Sequence, residues 1–277
     1  MTARVIAAGA LFCCGLWAGG VGLLWAAEPY LVFMTGNSRS YTRPLDPGVF
    51  QTHTFANAEG TALRAVTVRH KMPGERYWIL FCQPAGGSTD VQMIQEHLKR
   101  LASLGYEVFS FDYRGFGSNG GTPTETGLYA DALAAYSYLL RVERARPDRV
   151  ILAGRSLGAA VAIDLATKVP AAGLLLFAPI DSVPAVAARL YPWAPVRLLA
   201  RHQFDSVSKA QRIELPLVYV YGRPDRFMAP ADARVLFERF RGPKQLVETG
   251  GGHHHSGFTH LPDLYRATKI FWPSKAN

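Results

Sequence analysis

Apolar and polar positions fall into distinct regimes along the chain. Residues 5–27 carry no charge, with Arg4 before the run and Glu28 after it. A run of that length crosses a hydrocarbon core as a helix. Residues 29–47, broken by Pro29, Pro44 and Pro47, predict an irregular segment that covers an edge of a sheet. From residue 51 onward, short apolar runs alternate with longer stretches of helical period. The runs at 51–55, 63–69, 77–82, 107–111, 149–153, 173–177, 216–221 and 245–248 read as strands. Segment 91–104 sets Ile94, Leu98 and Leu101 on one helical face, and 124–143 does the same with Leu128, Ala132, Ala135, Tyr138 and Leu139. This alternation predicts an α/β domain: a mostly parallel eight-stranded sheet with helices on both faces and an antiparallel start from its first two strands.

Composition narrows the picture. The chain has 277 residues, 49% of them hydrophobic and 18% charged, with a formal net charge of +9. The part after the apolar run is long enough for one α/β domain with a full core. A cationic surplus admits nucleic acid or anionic lipid as partners. No basic run with interleaved aromatics and no nucleic-acid motif occurs, so the reading takes no nucleic acid as partner. Cys13, Cys14 and Cys82 make no disulfide framework, and Cys82, ending a strand, reads as a buried thiol.

Trp17 and Trp25 suit a membrane helix, and Leu24-Trp25-Ala26-Ala27 is a poor signal-cleavage site. The preferred reading is a retained single-pass anchor, residues 1–28, with the domain of residues 29–277 on the non-cytoplasmic side. A cleaved signal and a secreted or periplasmic domain is the alternative.

The chemistry centres on Gly154-Arg155-Ser156-Leu157-Gly158, a G-x-S-x-G pattern between a strand and an Ala-rich helix. A serine at such a turn takes a strained backbone, and side chains two residues either side would crowd it. The following helix start offers N–H groups to a developing oxyanion. Leu157 supplies one such N–H. Ala85, in the loop Gln83-Pro84-Ala85-Gly86-Gly87-Ser88 after the third strand, supplies the other, because Pro84 has none. Catalytic groups collect at the carboxyl ends of parallel strands. Asp225 follows one strand directly, and His253 follows the last strand after Gly250-Gly251-Gly252. The order Ser156, Asp225, His253 is that of a nucleophile elbow with its acid and base. The competing reading of Asp225 is a helix-capping loop residue, and that of the His253-His254-His255 run is a polar surface. Asp181 is the reserve acid and His254 the reserve base. Three consecutive histidines do not readily close on one metal ion. His53, His70, His97, His202 and His260 lack a strand-end context and read as structural or exposed.

Four stretches carry a family resemblance: Phe111-Asp112-Tyr113-Arg114-Gly115-Phe116-Gly117-Ser118; Gly154-Arg155-Ser156-Leu157-Gly158; Tyr191-Pro192-Trp193-Ala194-Pro195 through Phe204-Asp205-Ser206; and Tyr221-Gly222-Arg223-Pro224-Asp225. Over roughly residues 50–272 the chain resembles an α/β-hydrolase, more narrowly the membrane-anchored α/β-hydrolase-domain-containing branch. The resemblance implies a serine hydrolase with a Ser–Asp–His triad matching Ser156, Asp225 and His253, and loop-fixing roles for Asp112 and Arg114. It departs from the family at Gln83-Pro84, where the family has His-Gly, and at His254-His255, where the family has Asn-Asp.

A small cap insertion, 181–215, carries Tyr191, Trp193, Arg189, Arg197 and Arg201. It reads either as a lid facing lipid headgroups or as a packed helix with solvated arginines. The function expected is cleavage of a small-molecule or lipid acyl ester, then of a thioester, then of a peptide, through an acyl-enzyme and with no cofactor or metal. The rival is a membrane-anchored binding protein that keeps the fold without turnover.

Overall fold

The apolar runs become the strands of one sheet. The computed structural model describes residues 2–35, 42–70, 76–225, 227–253 and 261–273. Its strands are β1 (Phe50–Ala56), β2 (Ala62–Val68), β3 (Trp78–Cys82), β4 (Glu107–Phe111), β5 (Val150–Arg155), β6 (Gly173–Phe177), β7 (Leu217–Gly222) and β8 (Lys244–Thr249). They form an eight-stranded sheet of order β1-β2-β4-β3-β5-β6-β7-β8. Only β1–β2 and β2–β4 are antiparallel; every pair from β4 to β8 is parallel.

Period-2 alternation splits the core into two layers. Leu80 and Cys82 of β3 face the layer holding α3 (Glu125–Arg141) and α4 (Leu157–Ala166). Ile79 and Phe81 face the layer holding α2 (Gln92–Ser103) and, at the other end of the sheet, α9 (Leu261–Phe271). Helix α8 (Pro230–Arg239) joins the first layer through Ala233 and Leu236. The chain winds to one side from β3 to β4 and to the other from β5 onward. The carboxyl ends of β3 and β5 therefore flank the crevice where such sheets bind ligands.

The segment after the apolar run departs from expectation. Helix α1 spans Thr2–Phe33 and runs straight through Pro29. A proline within a helix leaves the carbonyl four residues earlier without its N–H partner. Here that carbonyl belongs to Trp25, and the Arg201 guanidinium donates to it at 2.8 Å. A cap residue thus replaces the missing hydrogen bond, and the helix continues. The stretch at 42–47 is fastened to the front of α2: Thr42 bridges Val91, and the Arg43 N–H donates to Asp90 O at 2.7 Å.

Between β6 and β7 the cap forms α5 (Val183–Leu190), α6 (Val196–Leu199) and α7 (Ser206–Ala210). Ser182 and Asp205 cap α5 and α7, their side chains accepting from Ala185 N and Ser208 N. Arg189 pairs with Asp181 and Asp232, tying α5 to α8.

Candidate active site

Ser156 sits between β5 and α4 with φ 53° and ψ −118°, a backbone conformation costly for a side-chain-bearing residue. Its surroundings hold it there. The Ser156 N–H donates to Phe177 O on β6 at 2.9 Å. A Cβ on Gly154 would run into the Gly158 carbonyl, and one on Gly158 into the backbone oxygens of Cys82 and Gln83. Both glycines are thus demanded by the close approach of α4 to β5 and β3.

β7 and β8 deliver the other two groups from neighbouring strand ends. His253 Nε2 lies 2.9 Å from Ser156 Oγ, and His253 Nδ1 lies 2.6 Å from Asp225 Oδ2. The loops carrying Asp225 and His253 touch: a Cβ on Gly222 would strike Gly251 O, and the Arg223 N–H donates to Thr249 O at 2.9 Å. Asp225 also acts on its own loop, Oδ1 accepting from the N–H groups of Phe227 and Met228 at 2.8 and 3.1 Å. Burial works to raise the Asp225 carboxyl. The His253 hydrogen bond and charge, with those two N–H groups, outweigh it and hold the carboxyl below the usual carboxylate range. Asp225 is therefore an anion at neutral pH, oriented toward one imidazole nitrogen.

Asp181 is placed elsewhere, its carboxylate on Arg189 at 3.0 and 3.1 Å. His53 contacts Tyr138 and Thr67, His70 contacts Ala102 O, and His202 pairs with Glu28. His254, His255 and His260 lie outside the described residues.

The loop after β3 is pinned from several sides. The Gln83 amide and the Thr89 N–H donate to Asp112 Oδ1 at 2.9 and 2.7 Å, and the Thr89 hydroxyl to Oδ2 at 3.0 Å. Gly87 N–H turns back to Pro84 O at 2.9 Å, while Gly86 N–H donates to Phe33 O, the end of α1, at 2.8 Å. Gly86 takes φ +66°, and a Cβ there would press on the Met34 carbonyl. Ala85, Ser156, Leu157 and His253 lie on the wall of one cavity of about 380 Å³. Arg155 lies on that wall too, almost fully buried. Burial pushes its guanidinium down to about 10, opposed by the Asp225 charge.

The second half of α1 forms another side of this cavity, together with the cap. Sequence reasoning missed this contribution. Its signal was a stripe at helical spacing, Val21, Leu24, Trp25, Glu28, Leu31 and Val32, with one carboxylate among apolar residues.

A strained serine at a strand-to-helix turn, at the switch point of this sheet order, defines an α/β-hydrolase fold. The comparisons agree. Residues 84–206 match the family described as serine aminopeptidase, S33. An uncharacterized protein of Mycobacterium tuberculosis is 31% identical over 239 residues, 86% of this chain and 84% of that protein. Alpha/beta hydrolase domain-containing protein 17B of Homo sapiens is 30% identical over 207 residues, 74% of this chain and 68% of that protein. Among solved structures, a Pyrococcus furiosus esterase superposes with a TM-score of 0.68 at 17% identity, covering 84% of this chain and 95% of that one. A Vibrio vulnificus alpha-beta hydrolase gives 0.67 at 20% identity, covering 86% and 92%. The chain belongs to the α/β-hydrolase family, as a relative of the α/β hydrolase domain-containing 17 proteins. One of its described helices, over Leu11–Phe33, is long and apolar enough to cross a membrane.

Proposed function

We propose that the protein is a membrane-anchored serine hydrolase that cleaves an acyl ester through Ser156, His253 and Asp225. The carrying observation is the continuous hydrogen-bonded line from Asp225 Oδ2 through His253 to Ser156 Oγ, at 2.6 and 2.9 Å. His253 Nε2 takes the hydroxyl proton as Oγ attacks the acyl carbonyl. Asp225 holds the tautomer and stabilises the imidazolium. The N–H groups of Leu157 and Ala85 receive the oxyanion. The tetrahedral intermediate collapses, and the leaving oxygen departs with the proton from His253. Water, deprotonated by His253, then attacks the Ser156 acyl-enzyme and frees the acid. A thioester follows the same course with a sulfur leaving group and ranks second.

A peptide ranks third. An aminopeptidase needs an acidic group facing the substrate ammonium, and the acid on this wall, Glu28, is already paired with Arg201 and His202. In this reading residues 1–28 anchor a domain of residues 29–277 that faces the non-cytoplasmic side, with 181–215 as its cap.

A fluorophosphonate probe tests the proposal. Labelling of the full chain that disappears in Ser156→Ala is the expected result. A folded wild-type protein that takes no label is a binding protein, and the reading fails.

A further inference from the structure

The N-terminal helix does more at the site than an anchor requires. Val21, Leu24, Trp25, Glu28, Leu31 and Val32 all line the cavity that holds Ser156. Their spacing places them on one face of α1. Leu23 and Tyr30, between them in sequence, are 74% and 76% exposed on other faces. Earlier in the helix, Phe12 and Leu16 stay exposed as well. So α1 changes character along its length: residues 11–16 are exposed, and its second part is a cavity wall.

Four fastenings hold that wall in register. Trp17 Nε1 donates to Trp193 O at 3.0 Å. Glu28 accepts from Arg201 Nε at 2.7 Å and from the backbone N–H groups of Arg201 and His202 at 2.8 and 3.0 Å. Arg201 also takes the carbonyl that Pro29 leaves open. The last fastening is Phe33 O to the Gly86 N–H, within the loop that carries Ala85. A purely anchoring helix needs none of these.

We propose that α1 is a structural part of the substrate site: its 21–32 face is the rail along which an unbranched acyl chain lies, and it sets the chain length that reaches Ser156. The inference rests on the acyl-hydrolase reading and deepens it. Eleven residue steps of helix make a rail about 16 Å long. Its one polar side chain, Glu28, is neutralised by Arg201. An apolar stripe of that length fits an extended chain better than a compact polar group. Cleavage after Ala27 would remove Val21, Leu24 and Trp25 from the wall, so the site is complete only with α1 retained.

Two measurements on the full chain in nanodiscs test this. The first compares kcat/KM for p-nitrophenyl decanoate and p-nitrophenyl acetate. Each methylene moved out of apolar contact lowers binding about fourfold, so a Leu24→Trp indole that displaces two or three should lower the decanoate-to-acetate ratio about 15- to 60-fold. Leu23→Trp, on the exposed face, should leave the ratio alone. An unchanged ratio in Leu24→Trp, or an equal fall in both variants, overturns the proposal.

The second uses the wild-type protein, so it does not depend on a variant folding. An alkyl fluorophosphonate with a diazirine in its chain is attached to Ser156 and then photolysed. Cross-links within residues 21–32 support the rail, and cross-links confined to other segments overturn it. Absence of label at Ser156 instead counts against the hydrolase reading itself, which keeps the two failures apart.

Discussion

Replacing Asp112 by asparagine should stabilise the protein near pH 8 and leave it unchanged near pH 4. The carboxyl of Asp112 is fully buried beneath the loop that carries Ala85. Burial pushes it up to about 7, against the Thr89 N–H and hydroxyl, which favour the anion. In the unfolded chain the same group titrates near 3.9. Between those two values the native state holds a proton that the unfolded state has released, so stability falls as pH rises through this window and levels off above it. Each unit is worth about 1.4 kcal/mol, so three units give about 4 kcal/mol as an upper figure.

Asparagine keeps the shape and the hydrogen bonds. Its oxygen accepts from Gln83 and the Thr89 N–H, and its amide donates to the Thr89 hydroxyl, but it cannot ionise. For a domain of this size the gain near pH 8 is a rise in Tm on the order of 10 °C. Thermal unfolding of wild type and Asp112→Asn in the same detergent, across pH 4 to 8, gives two curves that meet at the acid end and separate toward neutrality. Parallel curves, or a variant that loses stability near pH 8, would mean that the three donors overcome burial and the native carboxyl is an anion.

The elbow and the acid assignment give two further predictions. Gly158→Ala places a methyl against the backbone oxygens of Cys82 and Gln83. α4 must then lift, carrying the Leu157 N–H with it, and a displacement of about 1 Å lowers ester turnover about a hundredfold. Turnover within a few-fold of wild type, with helix content intact by circular dichroism, would refute that account. Asp225→Asn should lower kcat by about four orders of magnitude through the wrong imidazole tautomer, as at the serine-protease triad. Asp181→Asn, at a side chain committed to Arg189, should leave kcat near wild type; the opposite pattern would move the acid role to Asp181.

Much of this architecture was legible because its signals are local. The apolar runs are bounded by glycine, proline or charge, and each strand lies within two residues of its expected range. Gly154 and Gly158 announced the elbow, since only a close backbone approach excludes a Cβ at both positions. Strand-end position put Asp225 and His253 on the loops after β7 and β8, while their meeting depends on those strands lying side by side, which only the sheet order shows. The end of the N-terminal helix was misplaced for the opposite reason. Pro29 is a local stop signal that a distant guanidinium overrides, and no pattern near residue 29 reports Arg201. For the same reason Glu28 looked like the flank of an apolar run, when it is the docking point of the cap.

The Phe33–Gly86 hydrogen bond makes the helix and the loop that carries Ala85 one mechanical piece. An α-helix advances about 100° per residue. One residue inserted between Val21 and Phe33 would therefore swing the inward stripe a quarter turn or more out of phase, or drag Gly86 with it. Residues added ahead of Trp17 would change neither. Helix length and site geometry are thus decoupled at the tryptophan: residues ahead of it can change in number without turning the inward stripe, while those behind it are locked in rotation.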